Sequence, residues 1–409
     1  MNRVLSAIWS VFTVQERRNV LVLAICQTLF GAGRTLLVAT AALVALSFAE
    51  HKGLATLPAA LVVVGTAAAS YPASMLMRRV GRRAGFVIGS LIGAAGGAVC
   101  MIGIVEADFW TFTIGNLIFG FFSGFAQLYR FAAADTASRE FRGTAISLVL
   151  AGGVVASVVG AEFSKIGEHM FADARFLGSY LFLLISTLLS ALVLMFLNIP
   201  PLTAAQAAQK QRPLGTIVVQ PSFVAATASV LIAHSVMAML MTAAPLAMSH
   251  SHHAFESTAW VIMWHSLGMF GPSFVTGWFI KKVGEIAIIF TGFALQFVCV
   301  AVALSGEAVF DYWLAMLLLG VGWNFAFTAG TTLLAGAYTP AERNKAQGAS
   351  NFIAYTFIAM GSLSSGALFH FFGWSWVNIT ALPALGIAVA IMIWFTLFGR
   401  AREPSLDAA

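Results

Sequence analysis

The stretch Ser74-Met-Leu-Met-Arg78-Arg79-Val80-Gly81-Arg82-Arg83 is a short basic turn between two long apolar runs. It returns later in the chain as Gly277-Trp-Phe-Ile-Lys281-Lys282-Val283-Gly284-Glu285. Both copies place two cations before a Val-Gly pair, and the cations suit the negatively charged headgroup layer of a membrane. Glycine permits the sharp reversal that a tight connection needs. The two stretches therefore predict cytoplasmic turns between membrane-spanning helices.

The composition excludes a soluble protein. Of the 409 residues, 60% are hydrophobic and only 9% are charged, and the mean hydropathy is +0.90. The net charge of +6 comes from cations in short loops and not from one basic patch, so we expect no nucleic-acid partner. The three cysteines lie within apolar runs and imply no disulfide framework.

Twelve spans of about 20 or more apolar residues are long enough to cross a bilayer. We number them in chain order as spans 1 to 12: 19–48, 54–76, 85–105, 109–135, 144–163, 176–198, 222–248, 259–280, 286–305, 311–338, 347–371 and 374–398. The predicted organisation is a cytoplasmic N-terminal segment (1–18), a six-helix bundle (19–198), a cytoplasmic connector (199–221), a second six-helix bundle (222–398) and a cytoplasmic tail (399–409). Met1–Thr13 predicts a short interfacial helix, and we expect no cleavable signal peptide.

The distribution of cations predicts the orientation of these spans. Of the 22 Lys and Arg residues, 17 fall in the terminal segments and the even-numbered loops, and three (Lys52, Lys165 and Arg175) fall in the other loops. Arg34 and Arg130 lie within spans. Cytoplasmic loops carry the excess of Lys and Arg, so both termini are expected in the cytoplasm. We expect a monomer in the inner membrane, with the lipid bilayer and a small-molecule solute as partners.

The two halves of the chain repeat one another. The run Thr40–Leu46 matches Thr242–Met248, and Phe141–Ala145 matches Glu342–Ala346, at offsets of 201 to 203 that the basic turns share. Parallel duplicated bundles are typical of transporters that rock about a central site. Glycines of span 3 (Gly89, Gly93, Gly96, Gly97) and span 5 (Gly152, Gly153, Gly160), with Ser157, predict close helix contacts.

The basic turns resemble the loop signature Gly-x-x-x-Asp-Arg-x-Gly-Arg-Arg/Lys of the major facilitator superfamily. The chain departs from it where Arg78 and Lys281 occupy the aspartate position and Ser74 that of the first glycine, so the role of that aspartate is not carried over. Asp135 matches the family's acid seven residues before a loop arginine, here Arg142, and a cytoplasmic latch is its expected role. The predicted cytoplasmic gate is Arg78, Arg79, Arg82, Asp135, Arg142, Lys281, Lys282 and Arg343.

The resemblance implies that spans 1, 4, 7 and 10 line a central cavity. The predicted solute-binding residues are Gln27, Arg34, Gln127, Arg130, His234, Trp264, His265, Trp323, Asn324, Asn351 and Tyr355. Arg34 lies at the midpoint of span 1, where a charge facing lipid is costly. We expect it to bind solute, with capping of neighbouring carbonyls or gating as alternatives. The two histidines and the aromatic residues have the alternative of structural packing.

Several functional motifs are absent from the sequence, and their absence excludes some classes of function. Span 5 lacks the Gly-Pro signature of the superfamily's drug–proton antiporters, and no carboxylate lies at the middle of a span. The loop with His250, His252, His253 and Glu256 has metal-binding residue types, but we interpret it as a polar turn and predict no metal and no cofactor. No nucleophile–base pair or ATPase motif is present, so neither an enzyme nor an ATP-driven pump is expected.

The predicted function is alternating-access transport of a small neutral or anionic, aromatic solute. The stretch Trp260–Phe274, with Leu319–Asn324, resembles the bacterial riboflavin importers of the superfamily. Riboflavin offers a flat ring for the aromatic residues and a polar chain for Arg34, Gln27 and Asn324. The alternatives are an exporter of amphipathic drugs or metabolites, and a membrane sensor that transports nothing.

Overall fold

The computed structural model describes residues 14–48, 54, 57–199 and 211–399, and the elements within them are helices. A backbone in hydrocarbon has no water to bond, so apolar runs satisfy their own N–H and C=O groups as helices. The predicted interfacial helix (1–13), the 200–210 part of the connector and the tail from residue 400 lie outside the described residues. The chain divides into two units, Met1–Thr203 and Ala204–Ala409.

The first unit holds spans 1 to 6. Its helices are α1 (Val14–Phe48), α2 (Leu57–Val80), α3 (Arg82–Val105), α4 (Phe109–Ala126), α5 (Tyr129–Thr136), α6 (Arg142–Glu168) and α7 (Leu177–Leu194), with a 3-10 turn at Arg139–Phe141 before α6. Helix α1 packs against α6 and α7, and α3 packs against α4 and α7.

Glycines let these helices approach one another closely. A Cβ atom on Gly160 of α6 would lie 2.5 Å from the Ala32 carbonyl oxygen of α1, and one on Gly152 would lie 2.7 Å from that of Ala24. On α3, a Cβ atom on Gly96 would lie 2.7 Å from the Phe119 amide nitrogen of α4. The close helix contacts predicted at these glycines are confirmed.

The second unit holds spans 7 to 12. Its helices are α8 (Leu214–Val218), α9 (Pro221–His250), α10 (Phe255–Phe270), α11 (Ser273–Val283), α12 (Glu285–Ser305), α13 (Val309–Ala335) and α14 (Arg343–Trp394), with a π-helical turn at Phe395–Gly399. Helix α14 contains spans 11 and 12 and leaves helical geometry at Gly373, where φ is 78°. The predicted boundary between spans 11 and 12 is thus confirmed.

Two predicted spans are interrupted. Span 4 divides between Ala126 and Tyr129, where the Leu128 N–H donates to the Phe125 carbonyl at 2.9 Å, three residues back. Span 8 divides at Gly271–Pro272, because proline has no N–H for the helical ladder. The prediction of a continuous span 8 is wrong at this point, whereas Phe109–Thr136 still forms one run of membrane length, as predicted for span 4.

Ten helices within the described ranges are long and apolar enough to cross a membrane. Span 8 is not among them because its two parts have only 16 and 11 residues. Span 11 is not among them either and is joined with span 12 in the 52 residues of α14. The all-helical membrane architecture predicted from the sequence is confirmed.

Both basic turns contain a glycine in a conformation that other residues avoid. Gly81 precedes α3 with φ 84° and ψ 164°, and Gly284 precedes α12 with φ 86° and ψ 158°. Both combinations lie in a region that is populated almost only by glycine. The predicted use of glycine to reverse the chain is confirmed in both halves.

Candidate solute-binding site

Four rings of the second unit meet in one group, which we call the aromatic cluster: His234 of α9, Trp323 and Phe327 of α13, and Tyr355 of α14. The His234 ring centroid lies 5.4 Å from Trp323, 5.6 Å from Phe327 and 5.9 Å from Tyr355, each in an edge-to-face arrangement. Trp323 stacks on Phe327 at 4.6 Å, as their spacing of four residues on one helix permits. The His234, Trp323 and Tyr355 side chains are buried.

The aromatic cluster unites three residues that the sequence analysis selected separately. His234, Trp323 and Tyr355 come from three spans, and Asn351 is buried one turn before Tyr355. Phe327 was missed, although its position one turn after Trp323 was a usable signal. Such a cluster offers flat ring faces together with an imidazole, an indole N–H and a phenol hydroxyl, which suits a planar polar solute.

Trp264 and His265 do not belong to the aromatic cluster. Trp264 packs with Trp260 and Trp313, at ring distances of 6.1 and 6.0 Å. The His265 Nδ1 atom lies 2.8 Å from the Met316 carbonyl oxygen, so Nδ1 carries the proton and donates it. Helix α10 turns both side chains toward the N-terminal half of α13. We therefore propose packing roles for them in place of the solute contacts expected from the sequence.

Asn324 has its hydrogen-bonding capacity taken up within the second unit. Its Nδ2 donates to the Met269 carbonyl at 2.7 Å and to Ser273 Oγ at 2.6 Å. Its Oδ1 accepts from Thr276 Oγ1 at 2.8 Å. Because both amide hydrogens are used, we propose a structural role for Asn324 at the interruption of span 8, and its expected solute contact stays a prediction.

Arg34 of the first unit is half-buried on α1, about two turns after Gln27 and on the same face. The exposed apolar side chains Leu21 and Ile25 lie on another face of α1, whereas the exposed Val38 lies one turn after Arg34 on the same face. Among the described residues, no hydrogen-bond acceptor or carboxylate pairs with the Arg34 guanidinium. An arginine at membrane depth with no acid beside it is suited to bind a solute that accepts hydrogen bonds.

Gln127 and Arg130 contact each other at the interruption of span 4. The Arg130 Nη1 atom donates to Gln127 Oε1 at 3.1 Å, and the guanidinium carbon lies 4.8 Å from the centre of the Phe131 ring. The side chain of Arg130 is buried. The structure thus brings these two predicted residues together, and their role in solute binding stays a prediction.

The basic turn of the first unit contains a buried ion pair. The Arg82 Nη2 atom lies 2.8 Å from Asp135 Oδ2, and the two side chains are 1% and 9% exposed. The pair joins the start of α3 to the last turn of α5. A latch role for Asp135 was expected from the sequence, and we propose that Arg82 is its partner within this unit.

The turn of the second unit lacks this pair. Glu285 occupies the position of Arg82, and Gly336 occupies that of Asp135. Arg78, Arg79, Lys281 and Lys282 are exposed beside the turns, and Arg142 and Arg343 begin α6 and α14 in the two halves. Their gating roles remain predictions.

A different ion pair fixes the connector to the second unit. The Glu342 carboxylate, 1% exposed, accepts from Arg212 Nε at 2.7 Å and from Arg212 Nη2 at 2.5 Å. It also accepts from the backbone N–H groups of Arg212 and Thr339. Burial raises the pKa of Glu342, but these bonds and the Arg212 charge outweigh it and lower the pKa to about 2. This pair was not predicted from the sequence, because its partners lie 130 residues apart.

The histidine loop is held by hydrogen bonds. His253 Nε2 donates to the Glu307 carbonyl at 2.6 Å, and Ser251 Oγ donates to the Glu307 carboxylate at 2.7 Å. No group of three His, Cys, Asp or Glu side chains is placed to hold a metal in the part of the chain that the structure describes. The side chain of Glu256 lies outside that part.

The fold and these polar groups at membrane depth define a polytopic helical membrane transporter, and comparisons with known proteins give its family. The sequence profile of the Major Facilitator Superfamily matches residues 23–322 and 226–408. The riboflavin transporter RfnT of Brucella anthropi is 37% identical over 92% of this chain and 95% of its own length. The uncharacterized MFS-type transporter YdeG of Bacillus subtilis is 31% identical over 86% of this chain and 85% of its own.

Solved structures agree in fold. The human organic anion transporter MFSD10 superposes with a TM-score of 0.76 at 15% identity, covering 93% of this chain and 100% of that one. The proton:xylose symporter XylE gives a TM-score of 0.74 at 14% identity, covering 94% and 96%. The chain belongs to the Major Facilitator Superfamily. It is a multi-pass membrane transporter and not an enzyme.

Proposed function

We propose that this transporter takes up riboflavin across the inner membrane by alternating access. The observation that carries the choice of solute is the 37% identity to the Brucella anthropi riboflavin transporter, which extends over 92% of this chain. Duplicated six-helix halves are the architecture in which alternating access operates. Both termini are proposed to lie in the cytoplasm, in keeping with the charge distribution, and the working unit is proposed to be a monomer.

The aromatic cluster of the second unit supports a flat solute. Trp323, Phe327 and Tyr355 present three rings around His234 within 6 Å between centroids. Stacked or edge-to-face aromatic pairs add about 0.5–1.5 kcal/mol beyond the burial of their area. We propose that the isoalloxazine ring of riboflavin binds here. Its carbonyl and nitrogen atoms would exchange hydrogen bonds with the polar atoms of the cluster.

Arg34 and Gln27 of the first unit support a solute with many hydrogen-bond acceptors. The guanidinium offers five donors in a planar fork, and Gln27 adds an amide on the same face. Donors of this kind suit a solute with several hydroxyl or carbonyl oxygens. The acids nearest to membrane depth are already paired, Asp135 with Arg82 and Glu162 with Lys165, so the described part of the chain disfavours cationic solutes.

A second candidate is transport of an organic anion. The observation that favours it is Arg34, a half-buried cation that has no carboxylate partner among the described residues. A solute carboxylate or phosphate would neutralise the guanidinium more fully than a hydroxyl group does. This candidate differs from the first in the charge of the solute.

Equilibrium binding to purified protein tests the proposal. Quenching of flavin fluorescence should give saturable binding of riboflavin, weaker binding of its phosphate ester and none of a cationic dye of similar size. Tyr355→Ala should weaken riboflavin binding about tenfold, because a ring face is lost. Phe371→Ala, which removes an exposed ring outside the cluster, is the matched control and should bind normally. Stronger binding of the phosphate ester than of riboflavin would favour the organic-anion candidate.

A further inference from the structure

The interruption of span 8 begins directly after an aromatic side chain that borders the aromatic cluster. Helix α10 ends at Phe270 and α11 begins at Ser273. Pro272 supplies no N–H, and the following amides reach back three residues instead of four. Phe274 N–H donates to the Gly271 carbonyl at 3.3 Å, and Val275 N–H donates to the Pro272 carbonyl at 2.9 Å. The helical ladder is therefore incomplete at this point.

Asn324 of α13 bonds to both sides of the interruption. On one side its Nδ2 donates to the Met269 carbonyl at 2.7 Å, and on the other it donates to Ser273 Oγ at 2.6 Å. Its Oδ1 accepts from Thr276 Oγ1 at 2.8 Å. Asn324, Ser273 and Thr276 are buried, so any bond that breaks leaves a polar group without water. These three bonds are expected to rearrange together.

Trp323, the residue before Asn324, belongs to the aromatic cluster. Its ring centroid lies 6.0 Å from that of Phe270, the last residue of α10, in an edge-to-face arrangement. Helix α13 thus carries two neighbouring contacts, one to the aromatic cluster and one to the interruption. Because the backbone of a buried helix is stiff, a shift of Trp323 also shifts Asn324.

We propose that Asn324 is a positioning residue that couples occupancy of the aromatic cluster to the arrangement of the interruption in span 8. The proposal rests on the proposed function, since it takes the cluster as the ring-binding part of the solute site. A ring that enters the cluster displaces Trp323, and the three Asn324 bonds then rearrange across Gly271–Pro272. By linkage, a change in the interruption alters the affinity for the solute by the same factor.

Hydrogen–deuterium exchange of the peptide 269–276, measured on the full chain in lipid nanodiscs, tests the coupling without any solute. Asn324→Ala should raise exchange there about tenfold, and Thr276→Val, which removes one of the three Asn324 bonds and the Thr276 Oγ1 bond to the Pro272 carbonyl, about threefold. Trp323→Ala should also raise exchange about tenfold at residues 273–276, beyond Phe270 whose ring contact it removes, although it removes none of the three bonds. Trp323→Phe retains a ring and should raise the exchange about threefold. It replaces Trp323→Ala in the test if that variant does not fold.

The control is Trp313→Ala, which removes an indole of the same helix outside the aromatic cluster and should leave the peptide unchanged. The coupling is overturned if Asn324→Ala raises exchange and both Trp323 variants leave it at the level of the unmodified protein. It is also overturned if Trp313→Ala raises exchange as much as Trp323→Ala does.

A second measurement adds saturating riboflavin. Exchange in peptide 269–276 should change at least about threefold in the unmodified protein and stay constant in Asn324→Ala. If riboflavin binds the unmodified protein and this peptide does not respond, the coupling is wrong and the proposed function stands. If riboflavin does not bind at all, the proposed solute is wrong, and the solute-free measurement still decides the coupling.

Discussion

At the scale of single residues, Arg34 is the side chain whose position most needs a ligand. A charged group at the centre of a membrane helix costs at least about 2.5–3.5 kcal/mol, and the cost is normally offset by a partner. Arg82 has Asp135 and Arg212 has Glu342, whereas no described residue supplies an acceptor to Arg34. A solute that accepts hydrogen bonds would meet this need.

Substitution of Arg34 separates a binding role from a structural one. Arg34→Lys keeps the charge and loses the planar fork, while Arg34→Gln keeps donors and loses the charge. For riboflavin, a neutral solute, both variants should bind about 5- to 150-fold more weakly, a loss of about 1–3 kcal/mol, with near-normal melting temperatures. Affinity and melting temperature are measured on the same preparations. Normal affinity with a lower melting temperature would instead assign Arg34 a structural role.

The structure brings some of the site residues chosen from the sequence together, and their role in solute binding stays a prediction. His234, Trp323 and Tyr355 were chosen as polar or aromatic side chains near the middle of spans, and they form one cluster. Trp264, His265 and Asn324 met the same criterion but contact other groups. Which face of a helix meets which neighbour depends on the packing of spans 8 and 10, and no spacing within one span contains that information.

At the scale of elements, the two basic turns depend on their glycines. Gly81→Ala and Gly284→Ala should each destabilise the protein by about 1–3 kcal/mol, because φ near +85° is unfavourable for a residue with a Cβ atom. There is open space around both positions, so the loss comes from the backbone and not from a clash. Thermal unfolding in nanodiscs measures it.

The control for the turn glycines is Gly215→Ala. Gly215 also has open space but lies in α8 without a positive φ, so its variant should unfold at the same temperature as the unmodified protein or slightly above it. Equal unfolding temperatures for all three variants would contradict the strained conformation at Gly81 and Gly284.

The ion pair between Arg212 and Glu342 makes the stability of the protein depend on pH. The pKa of Glu342 falls from the ordinary value of 4.5 to about 2. The ionised carboxylate therefore stabilises the folded protein fully above about pH 4.5. This stabilisation is lost as the pH falls from about 4.5 to about 2, and the loss, reduced by solvent screening, is on the order of 2 kcal/mol. The melting temperature should therefore drop less between pH 5 and pH 3 in Glu342→Gln than in the unmodified protein. Glu106→Gln, at an exposed position, is the control. An equal drop in melting temperature in the unmodified protein and both variants would contradict the stabilising role of the ion pair.

The elements themselves were largely predictable, because apolar runs of membrane length have one stable conformation. The boundary between spans 11 and 12 was predicted correctly at Gly373. The interruption at Gly271–Pro272 was not predicted. The presence of Pro272 does not by itself indicate an interruption, since Pro72 and Pro245 lie inside continuous helices. Whether a proline interrupts a membrane helix depends on neighbours that satisfy the freed carbonyls, as Asn324 does for Met269.

At the scale of the whole molecule, the charge distribution predicts how the chain is oriented in the membrane. In intact cells, a membrane-impermeant thiol reagent should label His250→Cys from outside and should not label Gln206→Cys until the membrane is opened. The cysteines at positions 26, 100 and 299 are buried and should contribute little background. Labelling of Gln206→Cys in intact cells would reverse the proposed orientation of the chain.

The measurement that tests the central claim most directly is the uptake of labelled riboflavin by cells that neither make nor import it. Cells with the unmodified protein should accumulate riboflavin above cells with an empty vector. At low concentration, Trp323→Ala should reduce the initial rate about tenfold at equal expression. No accumulation above the empty vector from a protein that reaches the membrane, or faster loss of riboflavin from preloaded cells, would contradict the proposal of riboflavin uptake.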